Sequence, residues 1–384
     1  MDPANAESQS VDVGRVSRFA TIGQGLKGHQ NSLNFLRLIL AVTVISSHAI
    51  KLGGFGSEDF LHGTSMGTVA VYGFFGISGY LIARSALTTS SVRYLWKRSL
   101  RIFPGAWACL LMISFFFGLI GWLSTGNSSN SLWHYLHSVD NPISFIYRNL
   151  PVPTPWSIQE SISGTPKGVP DPLVWNGQMW TLFYELSCYV LLGFLAIVGI
   201  LRNRLFTLLF AALFWAMDAA ITLVPTLNHQ FNFFTFSAGM NFFKFGSVFM
   251  FGTVLYLYRD IIPDSGWLAG GFTVLFFLSL WLPGSHPVTS AEVCDLFVPL
   301  IAYPMLWLGI HLPFKEIGRH NDYSYGLYIY AVPVAQLLAI WNVQRVGYFG
   351  YLAITLVVTA PFAVGSWWLI ERPALALKSA RMFK

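Results

Sequence analysis

Residues 34–50 of this chain, NFLRLILAVTVISSHAI, decide its fold. They are apolar enough to form a membrane-spanning helix, yet they include Arg37 near the start and His48 near the end. An α-helix places these two side chains about three turns apart on one face, roughly 16 Å apart in depth. Ionisable residues inside a membrane span are costly and indicate a functional site by default. The alternative is that Arg37 snorkels to lipid phosphates while His48 hydrogen-bonds inside the bundle.

The composition of the whole chain agrees with a membrane protein. It has 384 residues, of which 54% are hydrophobic and 10% are charged, whereas a soluble domain has about 25% charged residues. Apolar segments of spanning length recur, which predicts an all-α fold, a polytopic integral membrane helical bundle of about ten transmembrane helices. The predicted spans cover 33–50, 67–86, 102–123, 178–201, 205–223, 242–258, 266–282, 294–312, 323–341 and 348–370.

The basic residues predict the orientation of these spans. With the N-terminus in the cytoplasm, most Lys and Arg residues fall on the cytoplasmic side, so both termini are predicted to lie there. The same bias accounts for the net charge of +6 without a nucleic-acid partner. We therefore expect a polar cytoplasmic tail at 1–30, a transmembrane domain at 31–375 and a basic cytoplasmic tail at 376–384.

Residues 124–177 form the largest predicted extracytoplasmic loop, which is rich in Ser, Asn, Pro and Trp. Aromatic and amide side chains suit the faces and hydroxyls of sugars, although an interfacial aromatic belt would have the same composition. The three cysteines, Cys109, Cys188 and Cys294, lie in or beside apolar segments and show no CxxC pattern. We expect neither a disulfide framework nor a metal site.

A basic cluster precedes the third predicted span. Arg98 and Arg101 are neighbours on a helix surface, since they are three residues apart. Arginine forks suit phosphate groups, although charges at a membrane interface also set topology. The predicted topology puts Arg37 near the same surface, and three arginines at one level form a candidate polyphosphate site.

A carboxylate lies at the start of the fourth predicted span, in the sequence Trp180-Thr181-Leu182-Phe183-Tyr184-Glu185. Glu185 is expected at a depth similar to that of His48. A carboxylate beside an imidazole fixes its tautomer and strengthens it as a base. This predicts a catalytic pair of His48 and Glu185, the alternative being that Glu185 interacts with the start of its helix.

Two further patterns concern helix packing and ligand contacts. Glycines at 73, 76 and 79 recur every third residue, which allows another helix to approach closely. Ser78 in the same segment, together with Trp180 and Thr181, is a candidate for substrate binding. Asp218 and Lys244 are additional charges within predicted spans, and the sequence leaves open whether they pair.

Taken together, the motifs resemble those of the acyltransferase-3 family of integral membrane acyltransferases. The resemblance extends over about residues 31–375 and rests on the order and spacing of motifs that are individually weak. They are Arg37 and His48, GFFGISGYLI at 73–82, RSLR at 98–101, MWTLFYE at 179–185, DYSYGLYIY at 322–330 and the final Glu371-Arg372-Pro373. Thr181 stands where the family usually has serine, which keeps the hydroxyl.

The resemblance implies transfer of an acyl group, commonly acetyl, from cytoplasmic acyl-coenzyme A to a hydroxyl of an extracytoplasmic carbohydrate such as lipopolysaccharide O-antigen or exopolysaccharide. Arg37, Arg98 and Arg101 would bind the phosphates of acetyl-coenzyme A, and His48 would act as general base with Glu185. An acyl-histidine intermediate is also open. The expected partners are acyl-coenzyme A, the carbohydrate acceptor and membrane lipid, in the bacterial inner membrane, with homo-oligomerisation left open.

A different class of function is also compatible with the sequence. A secondary transporter or flippase for a glycolipid or acyl precursor has charges near the membrane midplane and helices rich in Gly and Pro. We find no inverted repeat of the kind that many transporters have. The Arg98 and Arg101 pair discriminates between the two, because a phosphate site is needed by an enzyme that uses coenzyme A and not by a transporter.

Overall fold

The computed structural model describes residues 20–28, 30–61, 64–125, 131–151, 158–224, 238–282 and 290–379. Most of the two predicted tails, at 1–19 and 380–384, lies outside these residues. Six of the described helices are long and apolar enough to cross a membrane, and four shorter ones are also apolar. The protein is therefore a helical, multi-pass membrane protein. The count of ten spans and the sides of the termini stay predictions.

Within the described residues, the elements are a series of helices and one antiparallel pair of short strands. The helices are α1 Ile22–Gly25, α2 Leu33–Leu52, α3 Met66–Thr88, α4 Ser91–Met112, α5 Gly118–Ser124, α6 Leu132–His137, α7 Pro142–Asn149, α8 Trp180–Ile197, α9 Arg204–Leu223, α10 Ala238–Leu257, α11 Gly266–Ser279, α12 Ser290–Asp295, α13 Ala302–His311, α14 Ser324–Ile340, α15 Tyr348–Ser366 and α16 Arg372–Ala376. Strands β1 Asp59–Leu61 and β2 Thr64–Ser65 pair antiparallel between α2 and α3.

Most predicted spans match observed helices within a few residues, and two differ for physical reasons. The third begins at Ser91 rather than at 102, and it continues through a π-helical turn at Ile113–Phe117 into α5. Its first turns are basic, and Lys and Arg lower the hydropathy without opposing helix formation. The span predicted at 294–312 is divided into α12, a 3-10 turn at Val298–Ile301 and α13. Pro299 and Pro304 lack the backbone N–H that a continuous helix would use.

Helix α3 lies at the centre of the bundle, packed against α2, α8, α10 and α13. Its glycines allow this crowding. A Cβ atom at Gly79 would lie 2.0 Å from the carbonyl oxygen of Phe249 on α10, and one at Gly76 would lie 2.8 Å from Cβ of Ala302 on α13. The predicted close approach of helices at these glycines is confirmed. Since α2 packs against both α3 and α14, the face of α2 that carries Arg37 and His48 adjoins the interior.

Candidate active site

Two cavities lie along α2, one at each end. The first, called the arginine chamber, is lined by Arg37, Ser78, Arg101, Thr181, Glu185 and Tyr328, among others, and has a volume of about 60 Å³. The second, called the histidine chamber, is lined by His48, Lys51, Glu58, Glu160, Asp171 and Trp180, among others, and has a volume of about 600 Å³. The second volume falls within the range of ligand pockets, about 300–1,000 Å³. The predicted three-turn separation of Arg37 and His48 thus places them in different chambers.

Beside the arginine chamber, one carboxylate holds two guanidinium groups. Arg37 Nη1 donates to Asp322 Oδ2 at 2.8 Å, and Arg101 Nη2 donates to the same oxygen at 2.5 Å. Ser324 Oγ donates to the other carboxylate oxygen at 2.5 Å. Burial alone would raise the pKa of Asp322, but Arg37, Arg101 and Ser324 together hold it well below its usual value. The carboxylate is therefore ionised, and it fixes both arginines in place.

Two of the three predicted phosphate-binding arginines share one carboxylate. Arg37 and Arg101 share Asp322, and Arg101 also lies 3.8 Å from a carboxylate oxygen of Glu371. Arg98, about one turn away on α4, has its guanidinium 5.9 Å from the centre of the Tyr189 ring. Two of the three thus meet at one level, while Arg98 faces the neighbouring helix α8. The motif that contains Asp322 is recognisable in the sequence. The sequence does not predict that Asp322 bridges Arg37 and Arg101, which the structure shows.

The predicted pairing of His48 with Glu185 is corrected by the structure. Glu185 accepts a hydrogen bond from the hydroxyl of Tyr189 and lines the arginine chamber. Helix α8 begins at Trp180, which lines the histidine chamber, and five further residues at about 1.5 Å each carry Glu185 roughly 7.5 Å along the helix. That rise is enough to move its carboxylate from one chamber to the other.

The carboxylate that contacts His48 is Glu58, from the segment between α2 and α3. His48 Nδ1 lies 3.1 Å from Glu58 Oε1, with side-chain exposures of 29% and 20%. Gly54 and Gly56 have φ values of +71° and +143°, which only glycine adopts readily, and they let the chain fold back over the end of α2. Sequence reasoning missed this pair because Glu58 lies in a loop whose path depends on these turns.

The protonation of this pair follows from its electrostatics. Burial raises the pKa of Glu58, but the hydrogen bond and charge of His48, the charge of Lys51 and the hydrogen bond from Ser47 outweigh it, so the pKa is lowered. An ionised carboxylate only accepts hydrogen bonds, so the proton of a neutral His48 lies on Nδ1. Nε2 is then unprotonated, which is the form that a general base needs.

The other charged residues that line the histidine chamber are mostly acidic. Lys51 Nζ pairs with Asp171 Oδ2 at 3.0 Å. Burial and the charge of Asp171 raise the pKa of Glu160, and Lys51 opposes that shift. Trp180 adds an aromatic surface beside these groups. Carboxylates that accept hydrogen bonds, next to an indole ring, form a chemical surface suited to a hydroxyl-rich ligand.

The two chambers share a wall formed by Val71, Thr181 and Tyr328. Thr181 Oγ1 and the Tyr328 hydroxyl lie 2.5 Å apart. The carbonyl oxygen of Gln178 lies 3.2 Å from the Thr181 hydroxyl and 2.9 Å from the Tyr328 hydroxyl, so one hydroxyl donates to the other and the second donates to this carbonyl. Of the three predicted substrate-binding residues, Thr181 therefore lies between the chambers, Ser78 lines the arginine chamber and Trp180 lines the histidine chamber.

A separate buried ionic cluster lies away from both chambers. Lys244 on α10 forms a salt bridge with Asp295 on α12, which also accepts a hydrogen bond from Tyr72 at 3.1 Å. Asp218 is buried on α9 with one carboxylate oxygen unpaired. The sequence left open whether Lys244 and Asp218 pair. In the structure, Lys244 forms a salt bridge with Asp295. No three His, Cys, Asp or Glu side chains in the described part of the chain are grouped as metal ligands.

Comparison with known proteins agrees with this architecture. The profile of the acyltransferase-3 family, described as "Acyltransferase domain", matches residues 30–370, so the chain belongs to this family. It is similar to the O-acetyl transferase of Shigella phage Sf6, with 26% identity over 92% of this chain and 98% of that protein. It is also similar to Nodulation protein 10 of Rhizobium leguminosarum bv. viciae, with 28% identity over 92% and 95% of the two chains. No solved structure shows significant similarity. The chain is an acyltransferase, which answers the choice between enzyme and transporter.

Proposed function

We propose that this acyltransferase moves an acetyl group from cytoplasmic acyl-coenzyme A to a hydroxyl group of an extracytoplasmic carbohydrate. The observation that supports this most is the pair of chambers along α2. A narrow chamber lined by Arg37 and Arg101 adjoins a wide chamber that contains His48, and the two share one wall. A donor with a phosphate group and a thin acyl-bearing arm can thus approach from one end, and a bulky acceptor from the other.

The acyl donor would be bound by positively charged side chains at the arginine end of α2. Arg37 and Arg101 are fixed by Asp322, and Arg98 stands beside them on α4. Guanidinium groups held in place bind phosphate oxygens with little loss of side-chain entropy. The pantetheine arm is comparable in length to the rise of roughly 16 Å between Arg37 and His48. With the phosphates near the arginines, the arm passes the wall formed by Thr181 and Tyr328, and the thioester reaches His48.

The transfer step uses the His48 and Glu58 pair. His48 Nε2 takes the proton of the acceptor hydroxyl as its oxygen attacks the thioester carbonyl. The carbon–sulfur bond then breaks, and the imidazolium returns the proton to the departing thiolate, so coenzyme A leaves as a thiol. Glu58 stabilises the imidazolium and holds the tautomer. General base catalysis of this kind contributes about 10²–10⁴-fold in rate.

The acceptor and the membrane are inferred from the wide chamber and from the relatives. The name of the phage relative describes transfer of acetyl to oxygen, and the carboxylates and Trp180 of the histidine chamber suit a sugar. Both relatives come from bacteria or a bacterial virus, which supports the bacterial inner membrane as the location. O-antigen and exopolysaccharide are the leading acceptor classes.

The proposal is tested by mass spectrometry of surface glycans from cells with the gene, without it, and with His48→Ala. We expect glycans from cells with the gene to carry additional acetyl groups, and glycans from the other two to lack them. Membrane levels of the variant, measured by immunoblot, must match the wild type. Identical glycan masses with and without the gene would refute a carbohydrate acceptor, and normal acetylation by His48→Ala would refute the role of His48.

A further inference from the structure

A third cavity lies beyond the arginine end of α2 and belongs to neither chamber. Its volume is about 700 Å³. It lies between the docked N-terminal segment, the ends of α3 and α10, and the segment that follows α13. The side chains that define it are Lys27, Arg84, Arg259, Lys315, Arg319 and Asp260, and we call it the basic cavity.

The N-terminal wall of the basic cavity is a segment that is firmly attached to the rest of the protein. Residues 20–28, part of the predicted tail, are attached by backbone hydrogen bonds. The N–H of Ile22 donates to the carbonyl of Ile262 at 3.1 Å, and that of Gly23 donates to Arg259 at 3.0 Å. The Ile22 side chain is fully buried. Lys27 is therefore held at the edge of the cavity by an anchored segment.

The charge of this cavity is strongly positive. Five cationic side chains line it, against one carboxylate from the described residues, that of Asp260. Arg259 lies 3.8 Å from Asp260, and Arg319 pairs with Glu316 at 2.9 Å. The other three cations, Lys27, Arg84 and Lys315, have no ion-pair partner within the described part of the chain. A concave surface with one sign of charge raises the local concentration of oppositely charged ligands.

These cations come from separate parts of the sequence. They lie before α2, in α3, after α10 and after α13. Considered singly, each is explained as a charge that sets membrane topology. Topology requires only that they lie on one side of the membrane, and does not require that they converge on one cavity. Their convergence therefore indicates a polyanionic ligand.

Two tyrosines give the same cavity aromatic surface. Tyr80 and Tyr256 line it, with ring centres 5.4 Å apart and planes at 80°. The guanidinium of Arg259 lies 4.2 Å from the centre of the Tyr256 ring. Aromatic rings and a guanidinium plane both stack on nucleobases in nucleic-acid binding proteins. The ligand therefore combines phosphate charge with a planar ring.

The basic cavity also leads towards the arginine chamber. Asn34 lines the basic cavity, and Arg37, one turn further along α2, lines the chamber. A smaller cavity between them is lined by Asn34 and Arg319 on one side and by Ser324 of the arginine chamber on the other. A single elongated ligand can thus have its charged end in the basic cavity and its thin arm in the chamber.

We infer that the basic cavity binds the 3′-phosphorylated adenosine end of coenzyme A, with the diphosphate directed towards Arg37 and Arg101. This inference rests on the proposed function for its donor. It adds a second phosphate site, formed by Arg84, Lys315 and Lys27, to the arginines of the chamber. The headgroup of an anionic lipid also carries a phosphate that could bind in this cavity. The test below distinguishes the lipid from coenzyme A.

The test compares coenzyme A with dephospho-coenzyme A, which lacks only the 3′-phosphate. Binding is measured by isothermal titration calorimetry on the full chain in nanodiscs of zwitterionic lipid. We expect the wild type to bind coenzyme A at least about tenfold more tightly, because hydrogen bonds to a charged group are worth about 1.5–3 kcal/mol each. Arg84→Ala and Lys315→Ala should remove most of this difference and leave dephospho-coenzyme A binding unchanged.

The unchanged affinity for dephospho-coenzyme A also shows that each variant is folded. Arg345→Ala is the matched control, because Arg345 is an exposed arginine in the turn before α15, near the histidine end of α2. Equal losses for both ligands, or wild-type discrimination in Arg84→Ala, would overturn the inference. The latter result is the one expected if the cavity serves a lipid headgroup. Wild type that binds neither ligand would instead refute the proposed donor.

Discussion

The most direct test of the site is the exchange of Glu58 for glutamine. Glu58→Gln keeps the size of the side chain but removes the charge that stabilises a protonated His48. The carboxamide can also donate to Nδ1, which favours the tautomer with its proton on Nε2 and blocks the base. The contact is a charge-assisted hydrogen bond of 3.1 Å between side chains that are 29% and 20% exposed. Such bonds are worth about 1.5–3 kcal/mol when buried.

Partial exposure places the expected effect at the lower end of that range. Since each 1.36 kcal/mol in the activation barrier corresponds to tenfold in rate, Glu58→Gln should lower the rate about tenfold. The assay measures thiol release from acetyl-coenzyme A by purified protein, with glycan from cells that lack the gene as acceptor. The apparent affinity for acetyl-coenzyme A should be unchanged, because the phosphate contacts lie at the other end of α2.

A double-mutant cycle shows whether the two residues act as a unit. The variant with both His48→Ala and Glu58→Gln should be little slower than His48→Ala, because effects within a catalytic unit are non-additive. Glu185→Gln provides the comparison, since sequence reasoning paired Glu185 with His48. A wild-type rate for Glu58→Gln would refute the assignment. So would free-energy losses that simply add in the double mutant.

Three further variants test other parts of the structure. Asp322→Asn leaves two partly buried guanidinium groups without their shared carboxylate, so it should lower the free energy of unfolding by about 3 kcal/mol. An effect on thermal unfolding as small as that of Glu316→Gln, in an exposed pair, would contradict this. Gly79→Ala should destabilise by about 1–3 kcal/mol through its clash with α10, whereas Gly270→Ala, with nothing within 4 Å, should not. Tyr328→Phe should lower kcat for thiol release without changing the Kd for coenzyme A, because its hydroxyl lies in the wall between the chambers; a wild-type kcat would show that this hydroxyl has no part in transfer.

Hydropathy and glycine spacing predicted most of the fold. Long apolar segments can satisfy their backbone polar groups in a membrane only as helices, so their positions follow from composition. The glycines at 76 and 79 predicted the close approach of helices, because small residues are required wherever backbones nearly touch. These are local properties, and the amino-acid sequence by itself determined them.

The distance between Arg37 and His48 could also be predicted from local sequence. Both residues lie on one helix, and helical geometry fixes their spacing at roughly 16 Å. Their assignment to two chambers agrees with that spacing. Reasoning about depth failed for Glu185, because helix boundaries predicted from hydropathy are uncertain by about 2–4 residues at each end. An error of that size in each of two helices is comparable to the five residues that separate Glu185 from Trp180 at the start of α8.

Only the tertiary structure decided which side chains meet. The partner of His48 depends on a glycine turn that folds the segment after α2 back onto it, and Asp322 meets two arginines from two other helices. The basic cavity likewise combines cations that are distant in sequence. Side-chain contacts of this kind depend on the relative rotation and offset of packed helices. Those are set by packing over the whole bundle, and no single segment encodes them.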